Sequence, residues 1–129
     1  MKTRTIKCQF ENSRGHTLDA RLDLPAGVDT EDIQHFVTFS HCFTCSKETI
    51  TTFRLSRQLA EAGYGVLRFD FTGLGDSEGE FASSTFSTTR DDLRCAIAFL
   101  QQEYKTPSFL MGHSMGGTTA LSLAGEQDS

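Results

Sequence analysis

The run Gly112-His113-Ser114-Met115-Gly116 constrains this chain most. It stands between an apolar triplet, Phe109-Leu110-Met111, and a stretch carrying Ala120, Leu121, Leu123 and Ala124. A strand that turns into a helix within so few residues adopts a strained backbone. Glycine on either side removes the Cβ atoms that would strike neighbouring backbone there. Gly117 extends the close approach into the helix. Outside such a context the same run would be an ordinary glycine-rich helix entry.

The upstream residues predict what that strand and helix belong to. Thr5 to Phe10 and Thr17 to Leu24 alternate in the strand period, and Asn12-Ser13-Arg14-Gly15 carries the turn chemistry of a hairpin. Pro25-Ala26-Gly27 ends the hairpin and Asp29 to Asp32 is an acidic connection. His35 to Ser40, rich in β-branched and aromatic residues, is a third strand. Ile50, Phe53, Leu55, Leu59 and Ala62 form a helical stripe that stops at Gly63. Tyr64 to Phe71 predicts a fourth strand, and Thr72 to Ser84 a glycine-rich acidic loop. A second helix is expected from Thr88, with Thr88 and Asp91 in a capping-box pattern and Leu93, Ala96, Ile97, Leu100 and Tyr104 on one face. The order is a β-hairpin followed by parallel strands with crossover helices. It implies an α/β fold, one domain over residues 1–129, truncated after the helix that follows Ser114.

Composition narrows the function. With 129 residues, 37% hydrophobic and 22% charged, the chain fits one globular unit with an ordinary core. A net charge of -5 without runs of Lys or Arg argues against nucleic acid and anionic membranes as partners. The start alternates polar and apolar residues and lacks the apolar run of a signal segment, so a cytoplasmic location is the expectation. Cys8, Cys42, Cys45 and Cys95 are too scattered for a disulfide scaffold and are expected as reduced thiols. Cys42-Phe43-Thr44-Cys45 is also a C-x-x-C, the pattern of a redox pair or half a zinc site. No second pair accompanies it, and no metal or cofactor is expected. Cys8 and Cys95 fit small buried hydrophobes.

A serine on such a turn stands above the carboxyl edge of the sheet as a candidate nucleophile. The backbone N–H of Met115 would face a developing oxyanion from the positive end of the helix. A second donor is expected from the loop after the third strand, with the Phe43 N–H as the candidate. Taken together, three segments resemble the α/β-hydrolase superfamily over essentially the whole chain. They are the elbow around Ser114, Ser40-His41-Cys42-Phe43-Thr44-Cys45-Ser46-Lys47, and the run from Leu67 to Gly79 that includes Asp70-Phe71-Thr72-Gly73-Leu74-Gly75-Asp76-Ser77. The chain looks most similar to the N-terminal half of the serine-aminopeptidase-like hydrolases often fused to an osmotically inducible protein C-like domain. The resemblance implies hydrolysis of an ester, thioester or amide with Ser114 as nucleophile, and a small-molecule ester, thioester or peptide-like substrate.

Two features depart from that family. Cys42 stands where many relatives have glycine. The family's order is Ser, acid, His, yet after Ser114 this chain carries Glu126 and Asp128 and no histidine. His113 adjoins Ser114 but should point beneath the turn. His41 should order the oxyanion loop, with service as a stand-in base as the alternative. His16 and His35 are expected without a role. Asp70 beside Arg68, and Asp76 before Ser77, suggest loop-fixing hydrogen bonders. Glu78 and Glu80 suggest a solvated loop, and Asp91 with Asp92 a helix N-terminus. Missing later strands would leave a sheet edge open to self-association or to a complementing C-terminal half, so a non-catalytic assembly or binding module is the alternative function, with a thiol redox or metal role at Cys42 and Cys45 as a weaker one.

Overall fold

Alternation of apolar and polar residues produces two nine-residue strands, β1 (Thr3–Glu11) and β2 (Thr17–Pro25). They pair antiparallel from Thr3↔Pro25 to Glu11↔Thr17. In this computed structural model residues 2–41, 46–80, 86–112 and 115–127 are described. Asn12 closes the hairpin, its side-chain oxygen accepting the N–H groups of Arg14 and His16.

Five further elements follow the expected alternation, with β3 at Phe36–Ser40, α1 at Ile50–Glu61, β4 at Gly65–Phe69, α2 at Phe86–Glu103 and β5 at Phe109–Gly112. The last described element is α3, Met115–Gln127. The sheet order is β1-β2-β4-β3-β5. β3 runs parallel to both β4 and β5, while β2 meets β4 antiparallel, so the hairpin extends a parallel trio at one edge. Among the described residues no helix is long and apolar enough to cross a membrane.

Strand alternation splits the two faces. Leu22 and Leu67, opposite each other in β2 and β4, enter the main core with Phe36, Phe69, Leu93, Ile97, Leu100 and Leu123, so α2 and α3 cover that face. Each such side chain contributes about 1.5–3 kcal/mol of burial. Phe10 stacks on Phe99 at 5.5 Å and meets Phe69 edge-on at 5.8 Å, joining hairpin, α2 and β4. The adjacent residues Asp23 and Arg68 point to the opposite face and meet Ser56 of α1. Gly65 opens β4 against the Phe36 ring. A Cβ there would come within 2.5 Å of that ring, so β4 cannot start with a larger residue without displacing it.

The second helix departs from the expectation. It begins at Phe86, which puts Thr88 and Asp91 inside the helix rather than at its N-cap. Tertiary contact outbids local capping: the Asp91 carboxylate accepts the N–H and hydroxyl of Ser13 in the hairpin turn. Asp92 is no exposed dipole residue either, since it is fully buried. It accepts the Thr72 N–H at 2.7 Å, the Thr72 hydroxyl, the Asn12 amide and an Arg14 guanidinium N–H. Burial pushes its carboxyl above the ordinary value despite those donors. The fourth strand is two residues shorter than expected at its C-terminal end, because Asp70 and Phe71 turn out of the sheet to bind neighbouring loops.

Candidate active site

Parallel strands deliver their successors to the same edge, so the residues after β3, β4 and β5 share the carboxyl edge of the sheet. Among the described residues these are His41 and the pair Asp70 and Phe71, with Gly112 ending β5 on the same edge. β5 ends at Gly112 and α3 begins at Met115. The first N–H groups of a helix have no intrahelical acceptor and carry its positive end, and Met115 contributes the first of them. Ser114, His113, Phe43, Cys42 and Cys45 lie outside the described residues, as does the side chain of Met115.

His41 is fully buried. Its Nε2 accepts the Phe71 N–H at 3.1 Å, and its ring meets the Phe71 ring edge-on at 4.9 Å. That hydrogen bond engages the Nε2 lone pair, which assigns the proton to Nδ1.

Beside His41 lies a group of charges that pattern reading did not assemble. The Lys47 ammonium is inaccessible to solvent and sits among three carboxylates: Asp70 at 2.6 Å, Asp19 at 2.8 Å and Asp76 at 3.1 Å. Their oxygens lie within 4.8 Å of one another, a spacing a cation could bridge, and the Lys47 ammonium reaches all three. The Lys47 N–H donates to Asp70 at 2.7 Å, and the Asp76 N–H donates to the same carboxylate at 3.0 Å. Gly75, at φ 53°, lets the turn close directly over Asp70, where a Cβ would collide with the carboxylate. Asp70 and Asp76 therefore fix loops, as expected. The ionic partner of Asp70 is Lys47, however, because Arg68 points to Asp23.

Arg68, the penultimate residue of β4, is buried and donates to Asp23 at 2.8 Å, to Glu48 at 2.6 Å and to the Lys47 carbonyl at 2.8 Å. Asp23 also accepts the hydroxyls of Ser56 and Thr5. A charged residue inside the apolar run Leu67-Arg68-Phe69 is the signal that could have found this network, since such a residue demands a buried partner.

The network sets a pH dependence. Burial would raise the Asp23 and Asp19 carboxyls, yet hydrogen bonds from Arg68, Ser56 and Thr5, and from Lys47, hold both below the ordinary 3.8. Burial would likewise lower Lys47, but its carboxylates hold the ammonium above its ordinary 10.5. A depressed carboxyl stabilises the fold above pH 3.8, and that contribution disappears as pH falls through the lower folded value. The raised ammonium stabilises below pH 10.5 and loses its contribution as pH climbs through the higher folded value. Urea midpoints are therefore expected to fall at both extremes. An acid limb unchanged in Asp23→Asn would contradict the assignment.

Neither described cysteine has reactive character. Cys8 and Cys95 are free thiols, and burial pushes Cys8 up to about 11. At the other edge, β5 pairs with β3 and with no other strand among the described residues, and Phe109 is 51% exposed. It lines an open groove of about 640 Å³ with Val37, Leu59, Tyr64, Met111 and Ala124.

Comparison with known proteins agrees with this geometry. The family described as serine aminopeptidase, S33, matches residues 33–129. The esterase domain of a Rhodothermus marinus protein is 44% identical with a TM-score of 0.72, over 98% of this chain and 46% of that one. The ferulic acid-bound Est1E of Butyrivibrio proteoclasticus is 25% identical with a TM-score of 0.84, over 94% and 48%. The human monoglyceride lipase is 37% identical over 75 residues, 57% of this chain and 25% of that protein. The mouse palmitoyl-protein thioesterase ABHD10 is 34% identical over 62 residues, 48% and 20% respectively. The chain thus spans about half the length of these solved structures and a quarter or less of these curated relatives.

Proposed function

Because the chain belongs to the serine aminopeptidase, S33, family of α/β hydrolases, we propose that it supplies the nucleophile-bearing half of a serine hydrolase acting on a small ester, thioester or amide. One observation carries the reading. β5 stops at Gly112 and α3 starts at Met115, on the edge where His41 and Asp70 also emerge, which leaves Ser114 directly before a helix N-terminus.

In this mechanism the Ser114 Oγ attacks the substrate carbonyl carbon, and its proton passes to a histidine. The tetrahedral oxyanion accepts hydrogen bonds from the backbone N–H groups of Met115 and Phe43, the former reinforced by the helix dipole. Collapse expels the alcohol, thiol or amine with the histidine's proton, and water then cleaves the acyl-enzyme. No histidine follows Ser114 within residues 1–129, so this reading requires the base to be supplied by a segment joined to these residues. His41 orders the loop and is not the base, because its Nε2 already accepts the Phe71 N–H. The relatives named as esterase, lipase and thioesterase support oxygen and thiol esters as the substrate class.

A fluorophosphonate probe tests the assignment on residues 1–129 joined to the segment that carries the triad acid and histidine. The label is expected on the Ser114 peptide and absent from Ser114→Ala. A label that persists in that variant, or none in the parent preparation, rejects Ser114 as the activated nucleophile.

The one-sided pairing of β5 and the exposed apolar surface at Phe109 and Leu121 favour a second reading, an assembly module whose open edge takes a second copy or a complementing half. Light scattering distinguishes it: a monomer at high concentration removes self-association.

A further inference from the structure

One short stretch of chain binds both His41 and Lys47, which flank the segment expected to hold the second oxyanion donor. At its start, His41 Nε2 takes the Phe71 N–H at 3.1 Å. At its far end, Lys47 is bound through three separate groups. Its N–H donates to Asp70 Oδ1 at 2.7 Å, its ammonium to Asp70 Oδ2 at 2.6 Å, and its carbonyl accepts from Arg68 at 2.8 Å. The partners in these bonds, Arg68, Asp70 and Phe71, lie at the end of β4 and directly after it. The ammonium also reaches Asp19 of β2 and Asp76 in the loop after β4, so the clamp is cross-braced to two more elements.

We propose that Lys47, through Asp70, is a positioning residue for the oxyanion loop, setting where the Phe43 N–H stands relative to Ser114. The inference rests on the reading of Ser114 as nucleophile and Phe43 as oxyanion donor. The bidentate grip fixes both the position and the direction of the chain leaving the loop: Asp70 holds backbone and side chain of the same residue, so Lys47 cannot rotate without breaking both bonds. A fold-holding ion pair would need only the ammonium. The additional backbone bond fixes the residue that closes the loop. Because the donor must meet the oxyanion rather than the ground-state carbonyl, a displacement of the loop costs turnover while leaving substrate binding nearly intact.

The test uses Lys47→Met with Asp70→Asn, which removes both charges so that neither is left buried alone and keeps an oxygen for the Lys47 position's N–H. Amide exchange on the purified chain is expected to quicken at least tenfold in the peptide covering residues 41–47, with β3 and β4 unchanged. Equal protection in that peptide, or a uniform rise across the sheet, overturns the proposal. The second arm measures hydrolysis, normalised to titrated active sites, by residues 1–129 joined to the segment carrying the triad histidine. There kcat is expected to fall about tenfold to a hundredfold, with KM within threefold and an unchanged pH profile. A parallel loss in KM, or no loss per active site, rejects positioning. Ser114→Ala separates the two ideas: activity surviving in it would defeat the nucleophile reading, while the exchange result would still report on the Lys47 clamp.

Discussion

Ser114→Ala is expected to lower kcat by about 10⁴- to 10⁶-fold in a preparation in which residues 1–129 are joined by the acid and histidine they require, with KM changed less than about threefold. The loss corresponds to about 5–8 kcal/mol of transition-state stabilisation. The asymmetry follows from the chemistry. A hydroxyl that forms a covalent bond only along the reaction path contributes nothing to the ground-state complex, so its removal leaves binding alone. The residue of activity measures what the two N–H donors and substrate positioning do without a nucleophile. A loss under tenfold, or one confined to KM, would remove Ser114 from the chemistry. Ester hydrolysis followed against active-site titration gives the answer.

Arg68→Met should cost about 3–5 kcal/mol, a large fraction of the 5–15 kcal/mol that a domain of this kind holds in total. Arg68 and Asp23 are both buried, and methionine would fill much of the space while leaving Asp23 charged with only the hydroxyls of Ser56 and Thr5 for company. The bond to Glu48 adds little, because that carboxylate is 55% exposed. Arg68 also lies over the Phe53 ring at 5.2 Å, a contact that methionine keeps in apolar form. The decisive control is Arg68→Met with Asp23→Asn, which should recover much of the loss in a urea titration. A double variant no more stable than the single would mean that shape, rather than an orphaned charge, explains the cost.

What the sequence revealed and what it concealed have separate physical origins. Strands were legible where one periodicity ran unbroken, as in Thr17–Pro25, or where a short apolar run followed a proline, as in Phe109–Gly112. The start of α2 was not, because Asp91 satisfied its local pattern yet was claimed by Ser13 across the fold. The end of β5 at Gly112 and the start of α3 at Met115 were legible because an apolar strand, glycine spacing and a small-residue helix are all local. The charge cluster was not, since Lys47, Asp19 and Asp70 come from three separate segments and only sheet order brings them together. His41 stood at the border: its loop role could be expected from position, while its partner Phe71 N–H emerges only once β3 and β4 lie side by side.

The one-sided pairing of β5 governs the order in which the molecule assembles. The hairpin of β1 and β2 closes over a short turn, whereas β5 must return to β3 across α1, β4 and α2, so chain entropy defers it. Among the described strands, this four-residue one with a neighbour on one side is then expected to be the last to join the sheet and the first to leave it on warming. The proposed nucleophile therefore hangs from the late-arriving part of the fold, and catalytic competence would trail compaction during folding and fail ahead of it during heating.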